Sequence, residues 1–206
     1  VILLFFYFYK NNIRRKHFNN LYSSFNLRYR KINKIPKVIH KIIITKDYEK
    51  PVFPDCMQKA IDSFSHFNPE YKIKIYSGND CLKYIKNNYS YSEYFIFENL
   101  IPYAYKCDFM KYLILYNEGG IYCDMKSVCL QPFDKIFPPH TEWFSARDVN
   151  PFRMSNGFIA SISSHLILYN TIEKIKINFF SKNKGIDNLF PTGPTTLAYG
   201  FEKYLQ

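Results

Sequence analysis

One block of the chain constrains the fold more than any other. Residues 104–116 read as the clearest helix. Asn117-Glu118-Gly119-Gly120 closes it, and Ile121-Tyr122-Cys123-Asp124 follows at once as a short strand. The glycine turn folds the strand back beside the helix, so Asp124 falls at a strand end, where a side chain leaves the apolar sheet for a cleft. Asp108, Lys111 and Tyr112 stand at i, i+3 and i+4 and share one helix face. In open α/β sheets ligands bind beyond the carboxyl ends of strands. Two carboxylates near one such end suit a ribose or sugar diol, or a divalent cation held by oxygen ligands.

The flanking sequence extends the pattern. Val38–Ile44 is β-branched and short, the mark of a buried strand, and residues 71–76 alternate as a half-buried strand should. A helix opens at Pro54-Asp55 and ends at Asn68-Pro69, and a shorter one runs to Ile85. Strands are expected near 142–146 and 158–161, with a helix over about 165–180. No repeats occur. The order argues an α/β sandwich with a mostly parallel central sheet.

A chain of 206 residues and 47% apolar content can bury a core without staples. The net charge of +11 favours anionic partners: nucleic acid, an acidic membrane surface or a phosphorylated substrate. That charge is uneven. Lys10, Arg14, Arg15, Lys16, Arg28, Arg30, Lys31, Lys34, Lys37 and Lys41 come before the first acid, Asp47. Val1–Tyr9 is apolar or aromatic throughout, too short to cross a bilayer alone. The expected organisation is therefore a hydrophobic N-terminal remnant and basic linker over residues 1–34, read as part of a membrane anchor with a core strand or a signal-peptide remnant as the alternative, and a catalytic domain over 35–206. The five cysteines form no CxxC pair and read as small buried hydrophobes. Asn88-Tyr89-Ser90 is a glycosylation sequon of the kind that an Asn-rich chain produces by chance. Tyr112, Tyr116 and Tyr122 read as core, and His40 as a satisfied strand histidine. No Walker A or GxGxxG loop is present, and no Ser or Cys nucleophile arrangement.

The block Ala104-Tyr-Lys-Cys-Asp108-Phe-Met-Lys-Tyr112-Leu-Ile-Leu-Tyr116-Asn-Glu-Gly-Gly120-Ile-Tyr-Cys-Asp124 resembles the pattern (A)xxSDxxRYxxLxxxGGxYxDxD. This is the sugar-binding region of the DXD-containing glycosyltransferases, family 32. Ile35-Pro36-Lys-Val-Ile-His40 is similar to the family's opening strand and Asn68-Pro69-Glu-Tyr71 to its NPxY segment. Ser155-Asn156-Gly157-Phe158 and Thr192-Gly193-Pro194 resemble later elements, so the likeness covers about residues 35–200. It implies a GT-A fold, Rossmann-like, and a nucleoside-diphosphate sugar donor whose hexose passes with retention to a glycan, lipid or protein acceptor. Nucleic acid is not among the partners it implies. Asp124 would bind the donor and reach a Mn2+ or Mg2+ ion, Asp108 would contact donor hydroxyls, and Lys111, Tyr112, Gly120 and Asn156 would line the donor site. The apolar N-terminal segment points to membrane association, with the ER or Golgi as the expected compartment, and the resemblance implies a His- and Trp-containing tail after the TGP element.

The chain departs from the pattern at three points. Lys126 replaces the second Asp of DXD, the usual metal ligand, and a protonated lysine coordinates no cation. Its ammonium suits the diphosphate leaving group instead, so Asp124 and Lys126 are the expected catalytic pair. Lys111 stands for the family's Arg, keeping the charge without the bidentate fork. Ile43 stands where an aromatic is expected. Two alternatives follow: a catalytically inactive sugar-binding relative, and a basic module for nucleic acid or anionic membranes.

Overall fold

The computed structural model describes residues 34–206, apart from residues 139, 151, 184, 186 and 187. The expectations for residues 1–33 lie outside the described residues. Among those described, no helix is long and apolar enough to cross a membrane.

Strands β1 (Val38–Ile42), β2 (Lys72–Tyr76), β3 (Gly120–Cys123), β4 (Trp143–Arg147) and β5 (Met154–Ser161) form a five-stranded sheet ordered β2-β1-β3-β5-β4. β1 pairs parallel with β2 and β3, whereas β5 pairs antiparallel with β3 and β4. Four strands thus run one way, with β5 reversed among them. The helices are α1 (Asp55–Phe67), α2 (Gly78–Asn88), α3 (Tyr91–Asn99), α4 (Tyr103–Glu118), α5 (Leu166–Phe180) and α6 (Pro194–Tyr204).

The period of two along each strand divides two cores. Ile39, Ile121, Cys123 and Ala160 point to one face, against Phe64 of α1 and the loop residues Cys129 and Phe133. Ile42, Tyr76, Tyr122 and Ile159 point to the other, against α4 and α5. Helix α4 is the centre of the second layer: every residue from Phe109 to Leu115 is buried. Its end is fixed by Gly119, at φ 69° and ψ −161°, a region that only glycine enters without strain. The Gly119 N–H donates to the Leu115 carbonyl at 2.9 Å. A Cβ on Gly119 would lie 2.7 Å from the Ser163 nitrogen and 2.9 Å from the Ser161 oxygen. The helix-to-strand bend therefore has no room for a side chain.

Two helices escaped the sequence reading. α3 starts with a capping box in which Ser90 and Glu93 satisfy each other's backbone N–H groups, an S-x-x-E signal that was there to be read. α6 opens on Pro194 at its first turn, just after Gly193, in a stretch to which the sequence reading assigned no helix. All five cysteines are free thiols; Cys81, Cys123 and Cys129 are buried, while Cys56 is exposed.

His40 is held as a neutral strand residue. Its Nε2 lies 3.0 Å from the Gly119 carbonyl, so that nitrogen carries the proton, and its Nδ1 accepts from the Tyr76 hydroxyl at 3.1 Å. Burial lowers its pKa from 6.5 to about 4.

Candidate active site

β3 delivers Asp124 to the carboxyl end of the sheet. The Asp124 N–H donates to the Gly157 carbonyl at 3.0 Å, one step beyond the last β3–β5 pair, Cys123 with Phe158. Tyr122, two residues earlier on the same face, donates its hydroxyl to Asp124 Oδ1 at 2.8 Å. Tyr122 is buried to its ring, so this is a fixed anchor. The Asp124 side chain is nevertheless 56% exposed. It is a carboxylate held in place and open to a ligand.

Asp108 sits behind it on α4, its side chain 16% exposed. Its Oδ1 meets Lys111 Nζ at 2.9 Å and accepts from Asn156 Nδ2 at 2.9 Å; its Oδ2 accepts from the Thr192 hydroxyl at 3.2 Å. Burial pushes the Asp108 carboxyl above its ordinary pKa, and the Lys111 ammonium opposes that shift. Lys111 is 4% exposed, donates to the Asn156 carbonyl at 3.2 Å and stands 3.8 Å from Asp124 Oδ1. Its ammonium also lies 4.4 Å from the centre of the Tyr122 ring. One buried cation therefore joins both carboxylates, β5 and an aromatic face.

The structure gathers Asp108, Lys111, Tyr112, Asp124 and Asn156 at one place, with some changes of part. Asp108, expected to meet donor hydroxyls, has protein partners on both of its oxygens. It orients Asn156 and Lys111. Tyr112 is fully buried and touches Asn156 Nδ2 through its hydroxyl at 3.2 Å, so it supports the site from behind. Gly120 is a correction. It lies at the opposite end of β3, about 13 Å along the strand from Asp124. A Cβ there would fall 2.6 Å from Val38 Cγ1 and 2.8 Å from the Val38 oxygen, so this glycine serves close strand packing, not a donor. Lys126 is exposed in the loop after Asp124.

Four contributors were missed. Lys41 donates to the Asp124 carbonyl at 3.0 Å; Tyr122 and Thr192 hold the two carboxylates; and a Cβ on Gly157 would lie 2.7 Å from Asp124 Oδ2. For Thr192 the TGP likeness was the available signal. For Lys41 the signal was a lysine inside an apolar strand. The groove of about 390 Å³ beside Lys74, Tyr76, Asp80 and Tyr84 lies on the β2 edge, two strands away from Asp124.

The DXD motif implies a divalent cation, and the side chains present fit one poorly. Among the described residues no three His, Cys, Asp or Glu side chains gather as a metal site. Asp124 offers one open carboxylate, with the ammonium of Lys111 3.8 Å away and Lys126 where a second carboxylate would be. Hard cations need several oxygen ligands. Lys111 and Lys126 place positive charge at the same end of β3.

The arrangement of layers and the site at the end of β3 define an α/β protein of the GT-A class. A solved structure titled PaToxG Glycosyltransferase superposes with a TM-score of 0.64 at 21% identity, covering 94% of this chain and 80% of that one. Residues 54–143 match the family described as the glycosyltransferase sugar-binding region containing DXD motif, so this part of the chain is similar to family-32-type glycosyltransferases. Inositol phosphoceramide mannosyltransferase 1 of Schizosaccharomyces pombe is 27% identical over 181 residues, 84% of this chain and 53% of that protein. Mannosyl phosphorylinositol ceramide synthase SUR1 of Saccharomyces cerevisiae is 27% identical over 146 residues, 69% of this chain and 35% of that protein. The chain thus spans about half, or less, of the length of these relatives.

Proposed function

We propose that this chain transfers a hexose, with mannose the leading choice, from a nucleoside-diphosphate sugar to a hydroxyl of a lipid or glycan acceptor, with retention of configuration. The observation that carries the reading is the open Asp124 carboxylate, anchored by Tyr122 and backed by the Lys111–Asp108–Asn156 network. The names of the mannosyltransferase relatives support the sugar and the lipid acceptor.

Asp124 binds donor hydroxyls, and Asn156 and Lys111 fix the wall beside it. The bond from the sugar C1 to the diphosphate oxygen breaks, and its electron pair leaves with the diphosphate. The acceptor oxygen forms the new bond to C1 on the same face, and its proton passes to the departing phosphate oxygen. Negative charge grows on the leaving group as this proceeds. Lys126 neutralises that charge most in the transition state, which is where stabilisation accelerates the reaction. Attachment to a membrane through the segment before residue 35 belongs to this reading.

A thermal-shift panel of GDP-mannose, UDP-galactose and UDP-glucose, each with and without Mn2+, tests it. The true donor raises the melting point because it binds only the folded state. Transfer or diphosphate release must then follow from that donor. Lys126 at the DXD position also favours a second reading, an inactive sugar-binding copy. Donor binding without any release of diphosphate would select it.

A further inference from the structure

Lys41 has no part in the chemistry above, yet a fully buried lysine inside a strand is an unfavourable placement that calls for a compensating contact. On the same face of β1, Ile39 packs with Phe64 and Ile121, so another apolar residue would fit two positions later. The Lys41 ammonium lies instead 4.1 Å from the centre of the Phe64 ring and donates to the Asp124 carbonyl at 3.0 Å. The register brings it there. Ile39 is level with Ile121 and His40 with Tyr122, which puts Lys41 beside Cys123, one residue short of Asp124.

Asp124 is where β3 leaves the sheet, one residue past the last strand pair, so its backbone depends on contacts other than a continuing ladder. Its N–H is held by Gly157, and its carbonyl accepts from Ser127 N at 3.0 Å as well as from Lys41. Its side chain is held from the other face, through Tyr122 and Lys111. The two faces of the sheet therefore each send a lysine to the same residue: Lys111 to the carboxylate and Lys41 to the main chain. Ser127 belongs to the loop that carries Lys126, so the Lys41 contact also sits at the root of that loop.

We propose that Lys41 is a positioning residue, fixing the main chain at Asp124 so that its carboxylate and the Lys126 loop meet the donor in one geometry. This rests on the donor-site reading of Asp124. The test compares the full chain with Lys41→Met, Lys41→Arg, Asp124→Asn and the double variant Lys41→Met/Asp124→Asn. GDP-mannose is the first titrant, then UDP-galactose and UDP-glucose. Lys41→Met keeps the length and apolar stem. It should retain the wild-type melting point and bind the donor about tenfold more weakly, the scale seen when a group that orients a ligand is removed. Lys41→Arg should recover part of the loss. The double variant should bind no more weakly than Asp124→Asn, because Lys41 acts through Asp124.

Wild-type donor affinity in Lys41→Met, or losses that multiply in the double variant, would overturn the proposal while leaving the Asp124 reading intact. If the wild-type chain bound none of the three donors, both would fall. Should Lys41→Met not fold, Lys41→Gln undergoes the same titrations with the same expected loss.

Discussion

At its amino end β3 starts from Gly119 and Gly120 with no space for a methyl group; at its carboxyl end it leaves the sheet through Asp124, more than half exposed. The closed end is tied by neutral, buried contacts: His40 to the Gly119 carbonyl, Gly119 to Leu115, Gly120 against Val38. The open end is tied by charged groups, Lys111, Lys41 and Asp108, around one carboxylate. Four residues separate a part of the molecule where a substitution should unfold it from a part where a substitution should silence it. The contrast teaches that this motif is two devices: a rigid bend, and a charge presented by it.

The largest expected effect lies at the closed end. Gly119→Ala should lower stability by about 4 kcal/mol, combining backbone strain with a Cβ driven into main-chain atoms of the following turn. Urea denaturation measures it. A loss under about 1 kcal/mol would mean that the bend can relax, and the two ends would not be distinct.

His40 gives that end a pH signature. Its pKa is 6.5 unfolded and about 4 folded, so between these values the unfolded chain binds a proton that the native one refuses. Stability from this residue is complete above about pH 6.5 and falls as the pH drops towards 4, by about 3 kcal/mol in all. Denaturation midpoints between pH 7.5 and 4.5 should show that slope, and His40→Gln should flatten it. An unchanged slope in the variant would remove His40 from the account.

At the open end the sign of the comparison reverses. Asp124→Asn keeps the shape of the side chain and removes its charge. Transfer should fall at least about 100-fold, about 2.7 kcal/mol in the barrier, with the melting point unchanged. A variant that loses activity and stability together would show that Asp124 is part of the bend and not of a separate device.

How much of this was readable in advance follows the same division. The helix-stop glycines, the strand after them and the i, i+3, i+4 face were legible because each depends on local sequence. Residues 104–124 accordingly fold as expected, with Asp108 beside Lys111. The part of Gly120 was misread because its demand is for space against Val38, a residue 82 positions earlier, which no local pattern reveals. Thr192 and Lys41 were missed for the same reason: each meets its carboxylate residue across more than 80 positions of sequence. The protein partners of Asp108 were not legible because its spacing on the helix says which face it shares, not how deeply α4 is buried. Helix α3, by contrast, carried a local signal in Ser90 and Glu93, and its omission was a failure to use it.

The smallest effect probes the border between the two devices. Gly157 lies on β5 opposite the point where β3 ends, and its carbonyl holds the Asp124 N–H. An added Cβ would meet Asp124 Oδ2 at 2.7 Å and its Cγ at 3.5 Å, and no backbone atom comes within contact distance. The obstacle is the tip of a rotatable side chain, so the carboxylate can swing aside at little cost to the fold. Gly157→Ala should therefore leave the melting point within about 2 °C, a change of no more than about 1 kcal/mol at this size. Displacing the carboxylate strains its bond from Tyr122 and misplaces it against the donor, which should reduce kcat/KM about fivefold, about 1 kcal/mol. The larger Gly157→Val should reduce it further. Steady-state kinetics with thermal melts would decide this. Wild-type kcat/KM in both variants would mean that the carboxylate orientation seen here is not the one that the reaction uses.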